Sequence, residues 1–430
     1  MPDEALSPEA LDLLGRLVGA QARGEAAVQA VIAADLSAIG CRVSEHRYVP
    51  ADVPARGEIA SKPARASDER IAIVALLPAT ATGHQSLLLF AHPDSEPFIG
   101  GAGWTDDPLA LVNRRGRLHG WGLADDLAGC AAAVLAMSRL AAMDGDRGDV
   151  IFAAAPSKRS AKGTAAVLQS GLLADAALYL HPAESGAGMN EIKAITSGHM
   201  EFSITVQGKP PETQEPNHTV LSHKAINAVD KAVVIHAALR ALDIRRAARV
   251  RHPAIARAAE RSTNLMVSAM TTGPQAGLSR LAPDCTLGCA LSFPPGERLA
   301  DVQAEVSAAV AAAAEADDWL SVYPPQITWH TGTDAAEVPE DNPFWQVAST
   351  AVSRMTGSAP QVYPLHSGSD IRVPILESGM VCLGLGCLCG DLTQNGRTDE
   401  WIDAADFARM IDVVTAIASD WCHRDGGTMA

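Results

Sequence analysis

The chain has 430 residues, 47% of them hydrophobic and 20% charged, and a formal net charge of −16. That length exceeds what one hydrophobic core supports, so at least two domains are expected. The acidity argues against a nucleic-acid partner, which would need a basic surface, and no run of about 18 apolar residues is present to span a membrane.

The start, MPDEALSPEALDLL, is acidic and lacks a basic region followed by an apolar one, so no secretory signal is expected. The eight cysteines are scattered, which fits reduced thiols and a cytoplasmic location. Residues 8–39 read as one helix, with Ser7 as N-cap, Pro8 at its first position and Gly40 near its end. The runs 71–79 and 86–92 are short and apolar, as buried strands are. An alanine-rich helix is expected over 126–140, followed by buried strands at 149–156 and 177–182. Strands alternating with helices predict an α/β fold with a doubly wound, mostly parallel sheet. From residue 199 the pattern changes to strict apolar–polar alternation. Helices at 224–242 and 299–316 and strands near 283–294 and at 326–332 then complete a β-α-β-β-α-β pattern, an inserted α+β domain of ferredoxin-like type. The expected organisation is a first catalytic part (1–198), an inserted lid and dimerisation domain (199–332) and a second catalytic part (333–430). The Arg-rich segment 244–262 reads as a solvated loop or helix face.

Three segments carry chemistry. His92-Pro93-Asp94 and His181-Pro182-Ala183-Glu184 each follow a predicted strand, and Gly122-Leu123-Ala124-Asp125-Asp126 opens a helix. In open α/β sheets, sites lie beyond the carboxyl ends of the strands. Two imidazoles and a carboxylate suit a divalent transition metal with room for water and substrate. Each signal also has a structural alternative: either histidine can be a satisfied structural residue, and Asp125 or Asp126 can be the helix N-cap.

Together the segments resemble the family of aminoacylase, acetylornithine deacetylase, succinyl-diaminopimelate desuccinylase and the bacterial glutamate carboxypeptidase. The resemblance implies that His92 ligates a metal and that Asp94 orients it. It makes Asp125, at the end of Gly120-Trp121-Gly122-Leu123-Ala124-Asp125, a metal carboxylate, and His181 a further ligand. His218, nine residues before Asn227-Ala228, matches the lid histidine that reaches a partner's site, which implies a homodimer or larger homo-oligomer. Leu365-His366-Ser367-Gly368-Ser369-Asp370-Ile371-Arg372 resembles the family's substrate loop. His366 and Arg372 are therefore expected substrate contacts, the guanidinium suiting a carboxylate.

The pattern breaks in two places. The family's glutamate pair, its general base and a ligand of the second metal, falls on Ser157 and Lys158, and its last metal histidine falls on Gly396. Both losses concern one metal. The resemblance then implies one divalent transition ion (Mn, Zn, Co or Fe) per subunit, on His92, Asp125 and His181. Ser157 and Lys158 become expected substrate contacts. Lys158 either places an ammonium where the second cation would lie or points to solvent. For proton transfer the candidates are Asp94, Glu184, His218 and His366. The expected activity is metal-dependent hydrolysis of a C–N bond in a small, carboxylate-bearing molecule. The favoured subtype is an aminohydrolase that releases ammonia, as an enzyme of this family does with 5-nitroanthranilate. The alternatives are an N-acyl amino acid deacylase or dipeptidase, and a non-catalytic ligand-binding relative.

Overall fold

The computed structural model describes residues 6–95, 100–156, 160–182, 185–273, 277–390 and 398–426. They form two compact units. The first comprises Met1–Arg56, Pro63–Ile195 and Ala336–Ala430, and the second Gly57–Lys62 and Thr196–Ala335.

The first unit is built on a sheet of six strands in the order Arg42–Tyr48, Arg70–Leu77, Val150–Ala154, Leu87–Ala91, Ala176–Leu180 and Val381–Leu385. The last four are mutually parallel, and Arg70–Leu77 runs against both its neighbours. Leu87–Ala91, Val150–Ala154 and Ala176–Leu180 are buried at every position, as strands covered on both faces must be. One face packs on Pro8–Ala20, Glu25–Ala38, Ala128–Ala141, Pro343–Thr356 and Ala404–Cys422. The other packs on Lys162–Gln169 and Arg372–Ser378. Gly129 sets how closely its helix approaches the sheet, because a Cβ there would lie 2.1 Å from the Leu180 carbonyl oxygen.

The single helix expected over 8–39 is two helices. Gln21–Arg23 is a 3₁₀ turn, and Gly24, at φ +87°, reorients the chain before Glu25–Ala38. Only glycine takes that backbone region without strain.

The second unit carries a five-stranded antiparallel sheet in the order Asn264–Thr272, Asp284–Phe293, Gly198–Gln207, Gln326–Thr333, Glu58–Ile59. Its four long strands have the ferredoxin-like order, with Ala228–Arg249 and Leu299–Glu315 as the two crossover helices. Alternate residues Met200, Phe202, Ile204 and Val206 enter its core. The Arg-rich segment is not simply a solvated face. Arg246 is buried between Glu297 and Glu305. Arg261 pairs with the buried Asp243 at 2.6 Å. Buried charges persist only when paired and hydrogen-bonded, and these are.

Candidate metal centre

The sheet register builds the site. Leu87–Ala91 and Ala176–Leu180 are parallel neighbours with Phe90 opposite Tyr179. Side chains two apart on a strand share a face, so Phe90 and Tyr179, inside the strands, and His92 and His181, just past them, form one aromatic cluster at the strands' carboxyl ends. Tyr179 stacks on Phe90 with centroids 4.8 Å apart and on His181 at 5.1 Å, and is tilted to His92 at 5.2 Å.

His92 is 2% exposed. Its Nδ1 lies 2.8 Å from the Ala155 carbonyl oxygen, which can only accept, so Nδ1 carries a hydrogen. Nε2 then faces Asp370 Oδ2 at 3.3 Å without hydrogen-bond geometry. Burial alone would lower the His92 pKa. Asp370, with Asp126 and Asp94, outweighs it and raises the ring to about 9. Asp370 itself is held below the usual carboxylate range: burial opposes this, but His92 and Arg372 prevail.

Gly122, at φ +70°, turns the chain toward Asp125, whose Oδ1 is 3.5 Å from His181 Nε2. The buried Glu400 accepts from the backbone N–H of Gly122 at 3.1 Å and of Ala124 at 2.7 Å, which fixes this loop. Neither aspartate is the helix N-cap: that position is Leu127, and Asp126 Oδ2 instead accepts from the His92 N–H at 3.2 Å. Burial raises the Asp126 carboxyl to about 6 despite the nearby histidines. Buried Lys193 is anchored by paired backbone bonds to Gly384 and places Nζ 2.7 Å from His181 Nδ1.

Several expected roles change. Asp94 does not hold the His92 Nδ1 position, which the Ala155 carbonyl occupies; its Oδ2 pairs with Arg70 at 3.1 Å, and Arg70 also pairs with Glu25. Arg372 is buried and lies 3.8 Å from Asp370, so it supports that carboxylate. His366 is half-buried on the segment leading to Asp370. His218, in the second unit, accepts at Nδ1 from the Leu281 N–H at 3.2 Å. A neutral ring so held carries its hydrogen on Nε2, which makes it a hydrogen-bond donor there rather than a base. Ser157, Lys158 and Glu184 lie outside the described residues.

The structure thus brings His181 to Asp125 and His92 to Asp370. Among the described residues, no three His, Cys, Asp or Glu side chains are gathered into a group ready to hold an ion. The donor chemistry nevertheless fits a divalent cation. His92 Nε2 and Asp126 Oδ1 are buried without a hydrogen-bond partner among the described residues. Such groups cost ~1–3 kcal/mol each unless compensated. Sequence reasoning missed Lys193, for which there was no local signal, and the facing role of Asp370, which stood unassigned within the quoted substrate loop. Cys387 and Cys389 are both buried, and neither forms a disulfide.

Imidazoles and carboxylates at the carboxyl ends of parallel strands are a donor set that suits a metal-dependent hydrolase. Residues 88–420 match peptidase family M20/M25/M40, and the chain belongs to that family. It is a metal-dependent hydrolase of C–N bonds. It is 22% identical over 372 residues to an N-formyl-4-amino-5-aminomethyl-2-methylpyrimidine deformylase of Halalkalibacterium halodurans, covering 82% of this chain and 83% of that one. It is 24% identical over 356 residues to an acetylornithine deacetylase of Erwinia tasmaniensis, covering 81% and 83%. Its fold is similar to that of aminopeptidase PepT from Bacillus cereus, with a TM-score of 0.70 and 16% identity over 98% of this chain and 99% of that one. Among the described residues, no helix is long and apolar enough to cross a membrane.

Proposed function

We propose that this chain hydrolyses an amide-type C–N bond in a small, carboxylate-bearing molecule, with one divalent ion held by His92, Asp125 and His181. The observation that carries this reading is the strand register, which sets His92 and His181 side by side with Asp125 against His181. When bound, the ion supplies Lewis acidity, polarising the scissile carbonyl and lowering the pKa of water. His92 presents Nε2 because the Ala155 carbonyl holds Nδ1–H. Asp370 adds a carboxylate beside that nitrogen. The single-ion count rests on Lys158 and Gly396, which stand where the resembled family places ligands of its second metal, Ser157 standing where it places its general base.

His218 Nε2–H suits donation to a developing oxyanion, in trans within a homodimer. With Asp94 engaged by Arg70, the proton-accepting role falls to Glu184 or His366. Both curated relatives above are named for removing an acyl group from nitrogen, which favours an N-acyl substrate. A second reading, deamination of an aromatic amine such as 5-nitroanthranilate, is favoured by the loss of the glutamate pair at 157–158.

Turnover of N-formyl and N-acetyl amino acids, dipeptides and aminobenzoates, with metal restored, tests the proposal. Release of an acid from the acyl substrates is expected. Ammonia from an aminobenzoate alone would establish the second reading, and no turnover with metal bound would contradict both.

A further inference from the structure

Between Asp107 and Asp125 this acidic chain carries no acidic residue, yet it holds Arg114, Arg115, Arg117 and His119. They lie on a hairpin of strands Val112–Arg114 and Arg117–His119. Its turn, Arg115-Gly116, has positive φ at both residues, 53° and 82°, as a tight two-residue hairpin of this kind requires. Trp401–Asp403 pairs with the second strand. The hairpin and Asp399–Trp401 enclose a groove of about 810 Å³.

The groove's basic groups differ in what occupies them. Arg114 is spoken for: it faces Asp106 at 3.1 Å, Asp399 at 3.3 Å and His119 Nδ1 at 3.1 Å. Burial and Arg114 lower the His119 pKa. Arg117 is stacked on Trp401, 3.9 Å from the ring centroid. Stacking uses the guanidinium face and leaves its in-plane N–H edge free to donate. Among the described residues neither Arg115 nor Arg117 is paired with a carboxylate, and both are exposed. The result is a pre-set guanidinium edge, a second free guanidinium beside it and an aromatic wall.

We propose that this groove binds a small, multiply charged oxyanion bearing phosphate or carboxylate groups. Forked donors of this kind recognise planar or tetrahedral oxyanions through paired N–H bonds. The site is separate from the hydrolytic reading and does not depend on it. It is joined to the loop carrying Asp125 from two sides. The hairpin strand runs directly into Gly120, and Glu400, between Asp399 and Trp401, holds the Gly122 and Ala124 amides. An anion bridging the hairpin and Trp401 therefore braces that loop.

The test is calorimetric titration of the metal-loaded protein with inorganic phosphate and, separately, citrate. Ionic strength is held constant, because exposed charges are screened by salt. Wild type is compared with Arg115→Ser/Arg117→Ser, which alters only exposed side chains, and with Arg117→Lys, which keeps the charge but loses the fork. Saturable binding of one anion, weakened about tenfold or more in the double variant and partly in Arg117→Lys, is expected. The tighter of the two ligands identifies phosphate or carboxylate as the source. Equal binding by wild type and double variant would place the anion elsewhere, for instance at the metal, and would overturn the proposal. Non-saturable binding would do the same.

Discussion

Substitution of Glu400 tests how the candidate centre is held. Its side chain is fully buried and accepts two backbone N–H groups, from Gly122 at 3.1 Å and Ala124 at 2.7 Å. Hydrogen bonds to a charged group contribute ~1.5–3 kcal/mol each. Glu400→Gln keeps one carbonyl oxygen and turns an amide N–H toward a backbone donor, so it loses about one bond, roughly 1.5–3 kcal/mol. Glu400→Ala loses both and leaves two buried donors unpaired, which costs roughly 3–6 kcal/mol. Urea unfolding of the metal-loaded proteins measures this, and metal titration reads the loop itself. Stability and metal affinity are both expected to fall in the order wild type, Gln, Ala. An alanine variant as stable as wild type, with unchanged metal affinity, would refute the claim that Glu400 positions Asp125.

Three further outcomes follow from the packing. Gly129→Ala drives a Cβ into the Leu180 carbonyl; a loss of roughly 1–3 kcal/mol in urea unfolding, with weaker metal binding through displaced His181, is expected. Asp243 is held below its ordinary pKa, because Arg261 and the Leu265 N–H outweigh burial. Its stabilisation is full above the unfolded value of about 3.9 and is lost as pH falls through the lower folded value. Asp243→Asn is therefore expected to cost roughly 1–3 kcal/mol at pH 7, the gap to wild type closing in urea titrations below about pH 4. His218→Ala is expected to lower kcat by about 100-fold, and mixing it with His181→Ala to restore part of the activity if the histidine acts in trans; no restoration in verified hybrid dimers would rule that out.

What the sequence revealed depended on how local the cause was. The apolar runs and the residues just after them placed His92, Asp125 and His181 near one rim, because strand direction and period are local properties. The break at Gly24 was misread because the apolar pattern continues across it. Lys193 gave no local signal, since its role comes from a backbone pairing with Gly384, far along the chain. The pairing of Asp94 with Arg70 was hidden for a similar reason, as was the atom at His92 Nδ1, a carbonyl from the neighbouring strand's end that nothing near residue 92 announces. Likewise, the Arg-rich segment looks solvated until Glu297 and Glu305 are brought to Arg246.

The most direct measurement is metal content per chain, by elemental analysis after reconstitution with excess Mn²⁺ or Zn²⁺, for wild type and His181→Ala, with hydrolysis followed in parallel. One ion per chain, lost together with activity in His181→Ala, is the predicted result. Two ions per chain, or one retained in full by His181→Ala, would contradict a single centre on His92, Asp125 and His181.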